Sequence, residues 1–428
     1  MRTRFGIICV ILLALVAVGH AREIELVMEV RAGPEAVGTA KLVEYWNENL
    51  ADKFGFTVRQ IEHSRAAYYA NINTRIFAGA PDMDIALSYS NFTALYAEAG
   101  VVVDITEWFN DDTVYPYDRA DFFPIALDLV KYNDRIYALP TDVNTYFLFY
   151  RKDLIADPPE TWEELIDVAR RFTRKHNPDS PTEYGLAFYG RREESTAMFW
   201  YQIFKSYGGE FFDVDGNPQF ASEAGIKALE LVQTAIREGV VPPDISTYEY
   251  TEILGALQTG RVAMAIQWGA AYPTLKDPNA SPLVWDKIEA TFVPGVRQPD
   301  GSIKRAHSTH ALMLVINAAS RHPLEAFKFI AWATGDPEAL RIYAEAGCNP
   351  PHFSIYNDPY FQRLNPLFKI RDEAIVEWGY IEPMHPSYPR MKDILTTYLL
   401  EAFSLRLSAR EALKLADTEI KAIIATGG

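Results

Sequence analysis

Cysteine is nearly missing from this chain. Of 428 residues only Cys9 and Cys348 carry a thiol. Cys9 sits inside an apolar N-terminal run, which leaves Cys348 without a partner, so no internal disulfide and no cysteine-built metal site is expected. Basic residues are also in deficit: 41 Lys and Arg face 57 Asp and Glu, a net charge of −16. That balance argues against nucleic acid as a partner, because phosphate binding needs a basic face. Long hydrophobic runs are missing as well. The one candidate, Ile7–Val18, is about a dozen residues, too short for an ordinary membrane span. The chain has no G-x-x-x-x-G-K-[ST] loop, no G-x-G-x-x-G, no G-x-S-x-G elbow and no His-x-x-x-His spacing, which removes the commonest nucleotide, hydrolase and zinc signatures. Two weaker metal signals fail on inspection. His307 and His310 have no third ligand in view. The run Asp213, Asp215, Asn217 has Ala224 where a calcium loop needs a glutamate. No cofactor and no metal is therefore expected.

What is present describes an exported, ring-rich globular protein. Met1–Ala21 reads as a cleavable leader: Arg2 and Arg4, the apolar run, then Gly19-His20-Ala21 with small residues at the cleavage positions. Without it, 39 basic residues face 57 acidic ones, a charge of −18. Cys9 lies inside the run and not at its end, which is not a lipoprotein arrangement. The expected location is the periplasm or the exterior. Apolar residues make up 49% and aromatic residues 13% of the chain, and 428 residues suffice for two domains with separate cores.

The N-terminal part alternates strand and helix. Glu23–Val30 places Ile24, Leu26, Met28 and Val30 on one strand face, and Arg31–Gly38 reads as a loop. Ala40–Phe54 has helical spacing, Phe56–Ile61 is a strand, Tyr68–Phe77 a helix, and Asp84–Leu87 a strand ending in Ser88–Asn91. Such alternation predicts a parallel, doubly wound sheet, with ligand at the loops after the strand ends. Farther on, Thr161 and Glu164 form a capping-box pattern that starts a helix. Arg191–Thr196 reads as a polar loop before a helix over Ala197–Tyr207, and Arg390–Ser404 and Ala409–Ile424 as C-terminal helices.

Between Tyr132 and Leu165 the order of features is specific. A Tyr137-Ala-Leu-Pro140 run precedes the buried strand Tyr146–Tyr150, then Tyr150-Arg-Lys-Asp-Leu154, then Pro159-Glu-Thr-Trp-Glu-Glu-Leu165. With Gly79-Ala-Pro-Asp, the helix closing in Gly100-Val-Val-Val-Asp-Ile105, and Leu257-Gln-Thr-Gly-Arg-Val-Ala-Met264, this series resembles the family 1, maltose-binding-protein-like solute-binding proteins of ABC sugar importers. Two extra residues between Pro81 and Asp84, and an approximate Gly347–Pro351 segment, depart from the family pattern.

The resemblance implies an α/β fold of the type II periplasmic-binding-protein kind: two doubly wound lobes on a three-segment hinge. The implied N-terminal lobe is 22–141 plus 290–343, and the C-terminal lobe 142–289 plus 344–428. The crossings are expected near Asp142–Tyr146, Tyr272–Phe292 and Ala344–Pro351. It further implies a carbohydrate or polyol ligand, a membrane permease as partner, a monomer, and no enzymatic turnover. Two alternatives stay open: the same fold with a polyamine, an anion (for which Arg31 would face the cleft) or a peptide, and an exported carbohydrate-active enzyme, which needs only two suitably spaced carboxylates.

Sugars present flat C–H patches edged by hydroxyls, so rings in strand-end loops and two-way hydrogen-bonding side chains are the residues to seek. On that ground Trp268, Tyr272, Trp200 and Tyr388 are ligand candidates, while Trp46, Trp108, Trp162 and Trp332 are assigned to packing. The resemblance adds Asn91 where the family has a hydroxyl-binding aspartate, Asn144 where it has a crossing glutamate, and Ser88, Tyr272 and Leu395 where it has tryptophans. Asp142 and Tyr146 in the first crossing and Asn349 in the third complete the set. Loss of two stacking rings points to a shorter ligand than a maltodextrin.

Overall fold

The computed structural model describes residues 24–65 and 68–426; the leader assigned to Met1–Ala21 lies outside the described residues. The principal strands are β1 (Ile24–Arg31), β2 (Phe56–His63), β3 (Ile85–Tyr89), β4 (Leu139–Asn144), β5 (Tyr146–Arg151), β6 (Tyr184–Ala187), β7 (Val262–Trp268), β8 (Ile288–Thr291) and β9 (His310–Ile316). They form two sheets, in the order β2-β1-β3-β9-β4 and β8-β5-β7-β6. The helices used below are α1 (Pro34–Asn49), α2 (Trp162–Arg171), α3 (Glu194–Ser206), α4 (Tyr250–Gln258), α5 (Phe368–Trp378), α6 (Tyr388–Phe403) and α7 (Ala409–Thr426).

Each sheet has its own core. Under the first, Trp46 packs on Phe56, Phe329 and Trp332. Under the second, Phe149, Trp162, Trp200, Phe204 and Phe220 are fully or almost fully buried. Local signals account for several joints. The Asn133-Asp134 turn has positive φ at both residues and closes a hairpin between Lys131–Tyr132 and Arg135–Ile136. Thr161 caps α2, its hydroxyl accepting from the Glu164 amide at 3.2 Å while Glu164 accepts from the Thr161 amide.

Three expectations need correction. The first sheet is mixed, not parallel: β1 runs parallel to β2 and β3, but β9 is antiparallel to β3 and β4. β9 arrives from the other lobe and not through a helical crossover on the same sheet, so nothing forces it parallel. The segment after Arg31 is not a loop to Gly38, because α1 starts at Pro34. Proline at the first helical position brings its φ preset and needs no amide partner. Gly38 lies inside the helix for packing reasons: a Cβ there would stand 2.6 Å from the Cys348 sulfur and 2.7 Å from the Tyr343 ring. Finally, the second crossing is not between Tyr272 and Phe292. β8 pairs with β5, and His307–Ser308 still pairs with Gly379–Tyr380, so the chain changes lobe at Thr309.

The other two passages occur at Thr145, between β4 and β5, and around Cys348–Asn349. They are tied together. Asp142 Oδ2 accepts from the Asn349 amide at 2.8 Å and from Asn349 Nδ2 at 3.1 Å, and Arg371 of α5 donates to the Asn349 side-chain oxygen. A small apolar cluster (Phe123, Val143, Ala311, Tyr356, Phe368) packs against this junction.

Candidate functional site

The first sheet directs its ligand-facing ends at the second lobe. β1 ends in Arg31, β3 in Tyr89, β4 in Asn144, and antiparallel β9 begins at the same edge with His310; from the other side β7 ends in Trp268. Strand ends bring backbone loops and side chains to one crevice, the usual ligand position in such sheets. Here they create a row of rings that crosses from lobe to lobe. Tyr69 stacks on Tyr89 at 4.2 Å, Tyr89 meets the His310 ring edge at 5.2 Å, His310 meets Trp268 at 4.5 Å, and Trp268 stacks on Tyr146 at 3.6 Å. Arg31 lies along the row, its guanidinium 5.3 and 5.4 Å from the Tyr69 and Tyr89 centroids, and donates to the Tyr89 hydroxyl at 2.9 Å.

Charged groups fill the space beside the rings. Lys392 on α6 is 3% exposed and reaches Glu382 at 2.8 Å and Glu194 at 3.6 Å. Burial works against its charge, but the two glutamates outweigh that and raise its pKa. Arg31 faces Glu35 at 3.7 Å. Two contacts join the lobes directly: Asn91 Nδ2 donates to Glu194 Oε2 at 2.8 Å, and Arg65 lies 3.3 Å from Glu249. Burial, with Glu249 adding like charge, pushes the Glu193 carboxyl up to about 7, and burial also raises Glu194 against the pull of Lys392. Buried His310 is held neutral, its pKa lowered to about 3 by desolvation first and then by Lys392 and Arg31.

The resulting cleft is closed and nearly full. Two inner cavities of about 20 Å³ each, sharing Tyr89 and His310 in their walls, have room for little more than a water. A mouth of about 600 Å³ lies outside them, between Arg31, Arg65 and Tyr69 on one side and Glu193, Glu194 and Glu249 on the other. Several buried polar atoms around this space have no hydrogen-bond partner: Arg31 Nε, Glu35 Oε2, Tyr69 Oη, Asn91 Oδ1, Glu193 Oε1 and His310 Nδ1. Buried polar groups are ordinarily paired. Six of them converging on one cleft is a concentrated hydrogen-bonding demand.

The structure gathers some of the expected ligand residues here. Asn91, Asn144 and Trp268 line the cleft, and Tyr146 lies directly beneath Trp268. Asp142 and Asn349 bond to each other in the hinge, outside the cavity walls. Ser88 is buried in β3 against the Tyr96 hydroxyl at 3.0 Å. Three rings turn out to be core. Trp200 stacks on Phe204 at 5.0 Å, Tyr388 bonds Tyr201 at 3.1 Å, and Tyr272 lies behind Phe149 with its hydroxyl on Glu289. Each sits on a helix packed into the second lobe's core, so burial decides its side. Leu395, on α6, is fully buried in the same core. Sequence reasoning missed Glu35, Arg65, Tyr89, Glu193, Glu194, Glu249, Glu382 and Lys392, and considered His310 only for metal. Tyr89 and Arg31 had a signal, their place at strand ends. Glu194 was hidden because α3 begins three residues before the apolar pattern does, and nothing local marks Glu382 or Lys392. Among the described residues no group of three or more His, Cys, Asp and Glu could hold a metal ion. Asp213 spends its carboxylate inside its own turn, on the Asp215 and Asn217 amides.

Comparison with known proteins agrees with this architecture. The chain is 30% identical over 248 residues to a probable amino-acid ABC transporter periplasmic-binding protein of Sinorhizobium fredii, covering 56% of this chain and 53% of that one. It is 25% identical over 302 residues to the maltotriose-binding protein of Pyrococcus abyssi, covering 68% and 59%. These matches thus span little more than half the length of those relatives. Among solved structures, maltose-bound MalE3 of T. maritima superposes with a TM-score of 0.82 at 23% identity, over 94% of this chain and all of that one. A solute-binding protein of Agrobacterium radiobacter K84 in complex with ribitol gives 0.82 at 22%, over 94% and 98%. At these identities the structures establish the fold: a type II periplasmic-binding-protein architecture. The model of the bacterial extracellular solute-binding proteins matches residues 39–339, about 70% of the chain, and this protein belongs to that family.

Proposed function

We propose that the chain is the extracytoplasmic receptor of an ABC importer, capturing a carbohydrate or polyol between its lobes and presenting it to a membrane permease. The observation that carries this is the set of unpartnered buried polar atoms, Arg31 Nε, Glu35 Oε2, Tyr69 Oη, Asn91 Oδ1 and His310 Nδ1, gathered beside the Tyr89 and Trp268 rings. Hydroxyls donate and accept, so a polyhydroxylated ligand suits such a mixed set, and its C–H faces suit the rings. The inner cations Arg31, Arg65 and Lys392 already face carboxylates, which supports a ligand without strong negative charge.

In this reading the lobes divide along the two cores and move about the Thr145, Thr309 and Asn349 passages. Ligand touching both walls favours the closed arrangement by its differential affinity. No bond is made or broken. The leader directs export to the periplasm or exterior, and the receptor works as a monomer. Maltose, ribitol and maltotriose, named for the proteins it resembles, define the first ligands to try. A thermal-shift screen tests the reading: a ligand at a hundredfold excess over its Kd adds about 2.7 kcal/mol of stability. Stabilisation by a sugar or polyol, with the compound recovered intact, supports it. Response only to amino acids or polyamines overturns the ligand class, and product formation from a glycoside overturns the receptor role.

A further inference from the structure

The walls of the cleft carry more acidic than basic side chains. Inside the rim, Glu35, Glu193, Glu194, Glu249 and Glu382 face Arg31, Arg65 and Lys392. At the rim Arg192 and Asp393 pair at 3.2 Å, and Arg191 and Glu252 add one charge of each sign, which leaves the acids two in excess. The three inner cations are already engaged. Arg65 has Glu249, and Lys392 has both oxygens of Glu382 as well as Glu194. Arg31 holds the Tyr89 hydroxyl and lies 3.7 Å from Glu35 Oε2, and its Nε has no partner. Of the other unpartnered atoms, Glu35 Oε2 (on a residue 5% exposed), Asn91 Oδ1 and Glu193 Oε1 can only accept, while Tyr69 Oη and His310 Nδ1 can serve either way. A buried surplus of negative charge is costly unless a proton or a cation offsets it. The raised pKa of Glu193 is the protonated version of that answer.

We propose that the cleft selects by charge, preferring a polyhydroxylated ligand that bears an amine over its neutral parent and rejecting the corresponding acid. This rests on the solute-capture reading above and names the ligand class within it. An ammonium group supplies three donors and one positive charge to a wall with a surplus of acids. A carboxylate or phosphate supplies acceptors only and meets that surplus, the one guanidinium without a carboxylate, Arg191, standing exposed at the mouth.

Three charge-matched triplets test the proposal by calorimetric titration of the full-length protein at neutral pH: glucosamine, glucose and glucuronate; glucamine, glucitol and gluconate; and, without the sugar frame, putrescine, butanediol and succinate. The expected order within a responding triplet is amine tighter than neutral by about fivefold, and acid weaker by about a hundredfold, as Coulomb terms at a partly buried site allow. Glu193→Gln keeps the shape of the side chain, and its expected effect is to shrink the amine-to-neutral ratio severalfold. An acid that binds as tightly as its amine, or a Glu193→Gln variant with an unchanged ratio, overturns the charge rule and leaves sugar capture standing. A response confined to the third triplet overturns sugar capture, while the ranking inside that triplet still scores the charge rule. Silence from all nine compounds overturns both.

Discussion

The two walls of the cleft are chemically opposite. The first lobe contributes Arg31 and Arg65, set among Tyr69 and Tyr89, with Glu35 as its one nearby acid. The second lobe contributes Glu193, Glu194, Glu249 and Glu382 around the amine of Lys392, with Arg191 and Arg192 exposed at the rim. Neither wall is self-sufficient: Arg65 finds Glu249 and Asn91 finds Glu194 only across the gap. In the proposed receptor, closure is therefore partly an electrostatic event even before a ligand is counted. The comparison also separates two kinds of charge. Arg65 is partly exposed and pairs across the gap, whereas Lys392 has its carboxylate partners, Glu194 and Glu382, on its own lobe.

The strongest way to break the comparison is to remove that sealed amine. Lys392→Met leaves Glu382 and Glu194 buried without a cation, a loss of roughly 3–5 kcal/mol, and the expected outcome is a Tm lower by roughly 10 °C. Adding Glu382→Gln should return part of the loss, which calorimetry on the single and double variants measures. Next in size is Trp268→Ala. It removes a ring that is 6% exposed and stacked on Tyr146, costs roughly 3 kcal/mol of stability, and weakens ligand about tenfold through lost stacking. Arg65→Gln probes the exposed side of the comparison. The pair it removes is worth about 1 kcal/mol or less, so ligand release should quicken about fivefold, with the difference from the parent vanishing as salt is added; stopped-flow dissociation is the readout.

The smallest effect concerns the hinge behind both walls. Burial lifts the Asp142 carboxyl to about 7, with Glu35 adding to the shift and Arg371 opposing it. Folded protein then keeps a proton that an ordinary carboxyl, near 3.9, has released on unfolding. Stability tied to Asp142 should fall as pH rises from about 4 to about 7 and stay level above. Asp142→Asn, which still accepts from Asn349, should remove that slope and raise Tm by ~2 °C at pH 8 relative to the parent. His307, His310 and His352, each lowered to about 3 by desolvation first, give the opposite slope below pH 6.5, so the variant-minus-parent difference is the diagnostic curve.

How far these features can be read in the sequence depends on range. Capping at Thr161 is written in adjacent residues and came out as read; the Asn133-Asp134 turn and the strand before Trp268 are equally local features. The antiparallel β9 and the late second crossing are decided by which sheet a segment joins, and pairing partners more than a hundred residues apart leave no local mark. Rings show the same division. Trp200 and Trp268 look alike in composition, yet one is carried by a helix into the core and the other by a strand end into the cleft. The charged wall was least legible, since Glu194, Glu382 and Lys392 are unremarkable acids and a lysine until the fold places both carboxylates within 4 Å of the Lys392 amine.

The ring row has an optical consequence. Trp268 touches Tyr146 of its own lobe on one face and the edge of His310, on the first lobe's β9, on the other. Trp46, Trp162 and Trp200 are enclosed within the two cores and supply a steady background of emission. A rotation between the lobes changes the imidazole against one indole and leaves these three indoles as they were. The protein thus carries its own fluorescent gauge of opening, at the place where a ligand would be felt first.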